Sequence, residues 1–84
     1  MSTAIYQGVV SSLLKHAKKK PKNTQEIKAD AEFRVLLGID SMTMIAIACG
    51  LEETLGTNIG ALADEIADIA TVEELVNAVT RHTP

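Results

Sequence analysis

Leu37-Gly38-Ile39-Asp40-Ser41-Met42 opens a run that continues as Thr43-Met44-Ile45-Ala46-Ile47-Ala48-Cys49-Gly50-Leu51-Glu52-Glu53-Thr54-Leu55 and stops at Gly56. A glycine, an Asp-Ser pair and then apolar residues at helical spacing mark a helix start. At about 100° per residue, Met44, Ile47, Ala48, Leu51 and Leu55 share one face. Met42, Ala46, Cys49 and Glu53 fall on the opposite face, with Ile45 and Glu52 to one side. The predicted helix runs from Asp40 or Ser41 to Leu55, with Gly56 as its C-cap. Gly50 costs such a helix about 1 kcal/mol against alanine, and a close helix crossing is the expected compensation. Taken alone, the Asp-Ser pair reads as a cap whose side-chain oxygen accepts orphan backbone N–H groups. It also leaves the Ser41 hydroxyl exposed and easy to reach.

On the N-terminal side, Ile5, Val9, Val10, Leu13, Leu14 and Ala17 recur at spacings of three and four, which predicts an amphipathic first helix. Ser2 or Thr3 caps its start, and Pro21 and Asn23 end it, with Lys18, Lys19 and Lys20 in the last turn. Residues 21–38 form a long connection without sustained period. Within it Asp30-Ala31-Glu32-Phe33 suggests a turn, and Phe33 and Leu37 are the expected anchors to the core. On the C-terminal side, Thr57 to Gly60 reads as a turn anchored by Ile59. Ala61 to Ile69 reads as a short helix with Leu62, Ile66 and Ile69 inward. Thr71 and Glu74 form a Thr-x-x-Glu capping box for a last helix, whose inner face is Val72, Leu75, Val76 and Val79. His82-Thr83-Pro84 reads as a tail. The expected architecture over residues 1–84 is one all-α domain, a small four-helix bundle of three main helices and one short helix with a long first loop.

Eighty-four residues make one small domain. Tyr6 and Phe33 are the only aromatic residues, which argues against base stacking and nucleic-acid binding. The single cysteine, Cys49, excludes an intrachain disulfide and reads as a small apolar filler. No apolar stretch approaches the roughly 20 residues of a membrane span, and no signal-peptide pattern opens the chain, so a cytoplasmic location is expected. The net charge of −3 divides unevenly: residues 1–39 carry +4 and residues 40–84 carry −7. The acidic half suits a basic partner, whereas Lys18 to Lys20 read as a solvated helix end complementing the dipole.

Catalytic groups are sparse. A hydrolase built on Ser41 needs a base, and neither His16 nor His82 is placed by its spacing. Asp64, Glu65 and Asp68 stand on a short helix without paired histidines and read as a solvated acidic face, not metal ligands. The five glycines are scattered and build no phosphate loop.

From Phe33 to Val79 the chain resembles the acyl carrier protein family, including the related peptidyl carrier domains. Leu37-Gly38-Ile39-Asp40-Ser41-Met42 is similar to that family's Leu-Gly-x-Asp-Ser-Leu motif. Leu51-Glu52-Glu53-Thr54-Leu55 matches the acidic-then-apolar end of the family's second helix, Ile59 the apolar residue of the next turn, and Thr71-Val72 the start of the last helix. The resemblance implies that Ser41 carries covalent 4′-phosphopantetheine, installed from coenzyme A by a phosphopantetheinyl transferase with Mg²⁺. It further implies that Asp40 helps engage the metal-bound complex. The arm's thiol would hold acyl or aminoacyl groups as thioesters, and the carrier would raise their effective concentration at partner active sites without catalysing anything itself.

The chain departs from the fatty-acid carriers of that family. Their second helix is acidic along its exposed side from just after the serine. Here those positions are Thr43 and Ala46, and only Glu52 and Glu53 keep the charge. Val35 and Leu36 stand where acids are frequent, and Gly60 replaces a frequent proline. Met42, Ile45, Ala46 and Cys49 instead leave an apolar stripe, the expected recognition surface together with Asp40, Glu52 and Glu53. This favours a freestanding carrier in polyketide, non-ribosomal peptide or other secondary-metabolite biosynthesis, and a monomer is expected because the stripe is small for a permanent interface. Its partners would be an adenylation or acyl-activating enzyme and synthase or condensing enzymes. The alternatives are a carrier for fatty-acid synthesis and an unmodified helical adaptor that uses the same helix face.

Overall fold

In a computed structural model, residues 3–19 and 27–84 are described. They form α1 (Thr3–His16), α2 (Phe33–Leu37), α3 (Ser41–Leu55), α4 (Ile59–Ala63), a 3-10 turn (Ile66–Asp68) and α5 (Val72–Arg81). The three long helices and the loop after α1 build an all-helical bundle of the acyl-carrier type. Its principal extents are 33 × 26 × 20 Å. The Ser2 cap, the Thr3 side chain, Lys20 and the stop at Pro21 and Asn23 lie outside the described residues.

Helical periodicity explains the core. Val9 and Leu13 from α1, Met44, Ile47, Ala48 and Leu51 from α3, and Val72, Leu75, Val76, Ala78 and Val79 from α5 are buried together. Leu62, Ile66 and Ile69 close one side, and Phe33, Leu37 and Ile39 close the end nearest the start of α3. Each fully buried aliphatic or aromatic side chain contributes about 1.5–3 kcal/mol of transfer free energy. α5 divides cleanly into buried and exposed faces. α3 does not, because its outer side is also apolar.

Several boundaries differ from the sequence-based expectation. α1 stops at His16, so Lys15 and His16 occupy its last turn. Lys18 and Lys19 are not at the helix end: both donate their backbone N–H to the Leu37 carbonyl, at 2.9 and 3.0 Å. The aperiodic connection contains a helical turn, α2, which presents Phe33 and Leu37 to the core at i, i+4 spacing. α4 starts at Ile59, earlier than Ala61, because Asn58 caps it by accepting from the Ala61 N–H at 3.2 Å. The single short helix expected over 61–69 is therefore α4 followed by a 3-10 turn.

The first loop is fastened by the orphan donors of α5. Val72 N–H donates to the Ala31 carbonyl at 3.0 Å and Glu73 N–H to the Ala29 carbonyl at 2.7 Å. The next donor, Glu74 N–H, goes to Thr71 Oγ1 at 3.2 Å, completing the expected capping box. Arg34 of α2 adds a cross-tie, donating from Nη2 to the Ile66 carbonyl.

Gly50 is not where two helices meet most tightly. A Cβ there would find Ser12 Oγ at 3.8 Å, an ordinary contact, whereas a Cβ on Gly8 would meet Leu55 Cδ1 at 3.3 Å. The close approach of α1 to α3 is thus made at Gly8.

The C-terminal residues are not a loose tail. Asn58 N–H donates to the His82 carbonyl at 2.8 Å, and Thr57 Oγ1 meets Thr83 Oγ1 at 2.8 Å. Glu65 accepts from both Arg81 and His82. Glu65 is therefore a paired anchor and not part of a solvated acidic face; Asp64 and Asp68 remain exposed.

Candidate functional site

Three local requirements put Ser41 where it is. Gly38 ends α2 in the left-handed region, φ 65°, and its N–H returns to the Arg34 carbonyl. Ile39 then buries its side chain, with its N–H also on the Arg34 carbonyl at 2.9 Å. Asp40, in extended conformation, is the N-cap of α3, and Ser41 is the first helical residue. Burial of Leu37 and Ile39 on either side of the Gly38 turn leaves Asp40, Ser41 and Met42 exposed.

The Asp40 carboxylate uses both oxygens. Oδ1 accepts from the Thr43 N–H at 2.8 Å, as a cap should, and Oδ2 accepts from Lys18 Nζ at 2.7 Å. Lys18 first, and the Thr43 N–H second, hold this carboxyl far below the usual aspartate range, so it stays charged. Glycine is required at position 38 twice over. Its φ is positive, and an added Cβ would meet Lys19 Cγ at 3.3 Å and Lys18 Cβ at 3.4 Å. The basic segment after α1 is thus packed over the turn that presents the serine. Sequence spacing assigned Lys18 to a solvated helix end; the signal it missed is the early end of α1, which the long apolar period concealed.

Among the described residues no side chain hydrogen-bonds the Ser41 hydroxyl, and the two histidines are committed elsewhere. His16 donates from Nδ1 to the Ser12 carbonyl at 3.0 Å, and His82 is bonded to Glu65. The arrangement offers an accessible hydroxyl without an activating base, which suits modification by another protein better than catalysis.

The remaining candidates lie along one surface. Met42 is 82% exposed and Ile45 56%, with Ala46 and Cys49 also exposed on the following turns. Cys49 is consequently not a core filler. Glu52 and Glu53 are exposed at the far end of α3. Val35, on α2, is also exposed, at 74%. With Met42 and Ile45 it makes up the large apolar side chains that stand in solvent among the described residues. In the sequence Val35 stands out only as a departure from the acids frequent at that position.

No helix among the described residues is long and apolar enough to cross a membrane. A family model described as a phosphopantetheine attachment site matches residues 9–79. No curated protein and no solved structure matches the chain at a significant level.

Proposed function

The chain belongs to the phosphopantetheine attachment family, a non-catalytic carrier bearing covalent 4′-phosphopantetheine, and from that premise we propose that Ser41 is the residue that carries the arm. The observation that carries this reading is the exposed hydroxyl at the first position of a 15-residue helix, next to a charged, fully engaged Asp40. The surroundings fit an anionic group. The positive end of the α3 dipole and the Lys18 ammonium face the same corner of the molecule, and no core residue has to move to admit it.

When bound, the arm supplies a terminal thiol that holds cargo as a thioester. The chain's own residues do the rest. In the attachment step Ser41 Oγ forms a bond to the phosphorus that bears pantetheine, and the bond from that phosphorus to the adenosine 3′,5′-bisphosphate part of coenzyme A breaks. The serine proton passes to a base of the phosphopantetheinyl transferase. Asp40 serves that enzyme as the fixed negative group beside the nucleophile.

The exposed side of α3 supports a secondary-metabolite pathway, polyketide or non-ribosomal peptide, over fatty-acid synthesis. Acids are absent from its first two turns, and Met42, Ile45, Ala46 and Cys49 offer partners an apolar stripe that ends at Glu52 and Glu53. Such a surface suits drier contacts with acyl-activating and condensing enzymes than an acidic helix would make.

The test is intact mass. The apo chain is incubated with coenzyme A, Mg²⁺ and a broad-specificity transferase. The expected result is a gain of one phosphopantetheine that is lost in Ser41→Ala. No gain, or a gain that persists in Ser41→Ala, overturns the assignment.

A further inference from the structure

The pairing of Lys18 with Asp40 is too exposed to matter much for folding. The two side chains are 61% and 55% exposed, and exposed ion pairs contribute little. Yet the lysine is not there by chance of a flexible side chain. Its own N–H and that of Lys19 both end on the Leu37 carbonyl, the last of α2. The missing side chain of Gly38 lets the Lys18 and Lys19 stems lie against the turn. The backbone therefore delivers the ammonium to the α2–α3 junction, and the flexible part of the side chain has only to reach Oδ2, 2.7 Å away.

Modification changes the charge at this junction. Asp40 and Ser41 are consecutive, with Cα atoms about 3.8 Å apart, so a phosphodiester on Ser41 sets a second negative charge beside the first. Like charges at that range repel, and a cation between them removes the repulsion. Asp40 cannot turn away, because Oδ1 is spent on the Thr43 N–H that starts α3. Lys18 is the cation already bound on the remaining oxygen. An ammonium has three donors, and the bond to Oδ2 uses one of them.

We propose that Lys18 is the counterion of the arm's root, its ammonium bridging the Asp40 carboxylate and the Ser41 phosphodiester and so fixing the direction in which the arm leaves the surface. This rests on Ser41 being the attachment residue. Lys18 is a positioning residue in this role; it takes no part in the bond-making step.

The experiment is ³¹P NMR of the loaded carrier, comparing the unaltered chain with Lys18→Gln, Lys18→Arg and Lys19→Gln. Intact mass establishes loading for each, and circular dichroism checks that helicity is unchanged. The expected result is a phosphodiester resonance that is shifted and narrowed in Lys18→Gln, reporting a freer arm root, and restored by Lys18→Arg. Lys19→Gln should match the unaltered chain. Raising salt from about 0.01 M to 1 M, which shortens the screening length from about 30 to 3 Å, should move the unaltered spectrum toward that of Lys18→Gln. Superimposable spectra of the unaltered chain and Lys18→Gln at low salt overturn the proposal, as does an equal change in Lys19→Gln. Failure to load at all is a different result, and it counts against Ser41 as the attachment residue.

Discussion

Thr57 Oγ1 lies 2.8 Å from Thr83 Oγ1, and the proton order of this pair is fixed by its surroundings. Thr83 Oγ1 donates its single proton to the Val79 carbonyl at 2.6 Å, so the Thr57 hydroxyl must be the donor between the two. Thr57 is 1% exposed, a buried polar residue among the described ones. The chain therefore ends in a bonded relay from the α3–α4 turn through Thr83 to the last turn of α5.

Removing the acceptor should cost more than removing the donor. Thr57→Val keeps the shape and deletes one hydrogen bond, for an expected loss of about 1 kcal/mol. In a domain of this size that lowers the melting temperature by about 4–8 °C. Thr83→Ala strands a buried hydroxyl and should cost about 1–3 kcal/mol. Urea unfolding of both variants tests the order. If Thr83→Ala is the milder change, the proton order is wrong.

Gly8 of α1 and Gly50 of α3 should respond differently to alanine. Gly50→Ala meets open space at ordinary contact distance from Ser12 Oγ, so it should gain the helix propensity difference of about 1 kcal/mol. Gly8→Ala must displace Leu55 Cδ1 at 3.3 Å and should gain less or lose. Equal stabilisation in chemical denaturation would mean that Leu55 yields freely.

How much of this could be read in the sequence depends on the range of the interaction. Met44, Ile47, Ala48 and Leu51 face the core as their spacing requires, and the Thr71–Glu74 box forms, because both follow from contacts within four residues. Asp40, Ser41 and the exposed apolar side of α3 were legible for the same reason. What periodicity could not reach is long-range and carried by backbone groups. Lys18 and Lys19 on the Leu37 carbonyl, Ala31 under the start of α5, and His82 against Asn58 and Glu65 leave no local signature. α2 is too short for a period to register, and Gly8 acquires its role only when α1 meets Leu55.

Acid should destabilise the fold through carboxylates that are bonded in the native state. The Asp40 pKa is depressed by Lys18, through an exposed pair that adds little to stability, and by the Thr43 N–H of its helix cap; Glu65 is depressed by His82 and Arg81, and Glu74 by the Thr71 and Ala70 N–H groups. A depressed native pKa means that the unfolded chain binds more protons. The associated stability is thus complete above the ordinary carboxyl values of 3.8 and 4.5 and is lost as pH falls through the lower native ones. Urea midpoints should hold steady above about pH 5 and decline below it. Glu74→Gln should flatten part of that decline, because an amide keeps an acceptor for the cap without titrating. An unchanged slope in Glu74→Gln would assign the acid sensitivity elsewhere.

The apolar stripe makes a prediction that separates docking from loading. Ile45 is 56% exposed, one turn beyond Ser41, while its neighbours Met44 and Ile47 are buried. Ile45→Glu therefore puts a charge in solvent at little packing cost and with little change in helix propensity. It also makes the start of α3 acidic, as in carriers for fatty-acid synthesis. If the stripe is the surface on which downstream enzymes dock, the loaded variant should transfer its cargo several-fold more slowly at subsaturating carrier. A charge facing an apolar partner has to be desolvated without compensation. Far-UV circular dichroism and melting temperature should match the unaltered chain. Val35→Glu asks whether α2 shares in docking, since its side chain is 74% exposed there; slower transfer in that variant as well would extend the surface to α2. Equal transfer rates with both variants would remove the stripe from recognition and leave Glu52 and Glu53 as the surface to test. A loss of helicity in Ile45→Glu would instead mean that this side of α3 is covered in solution.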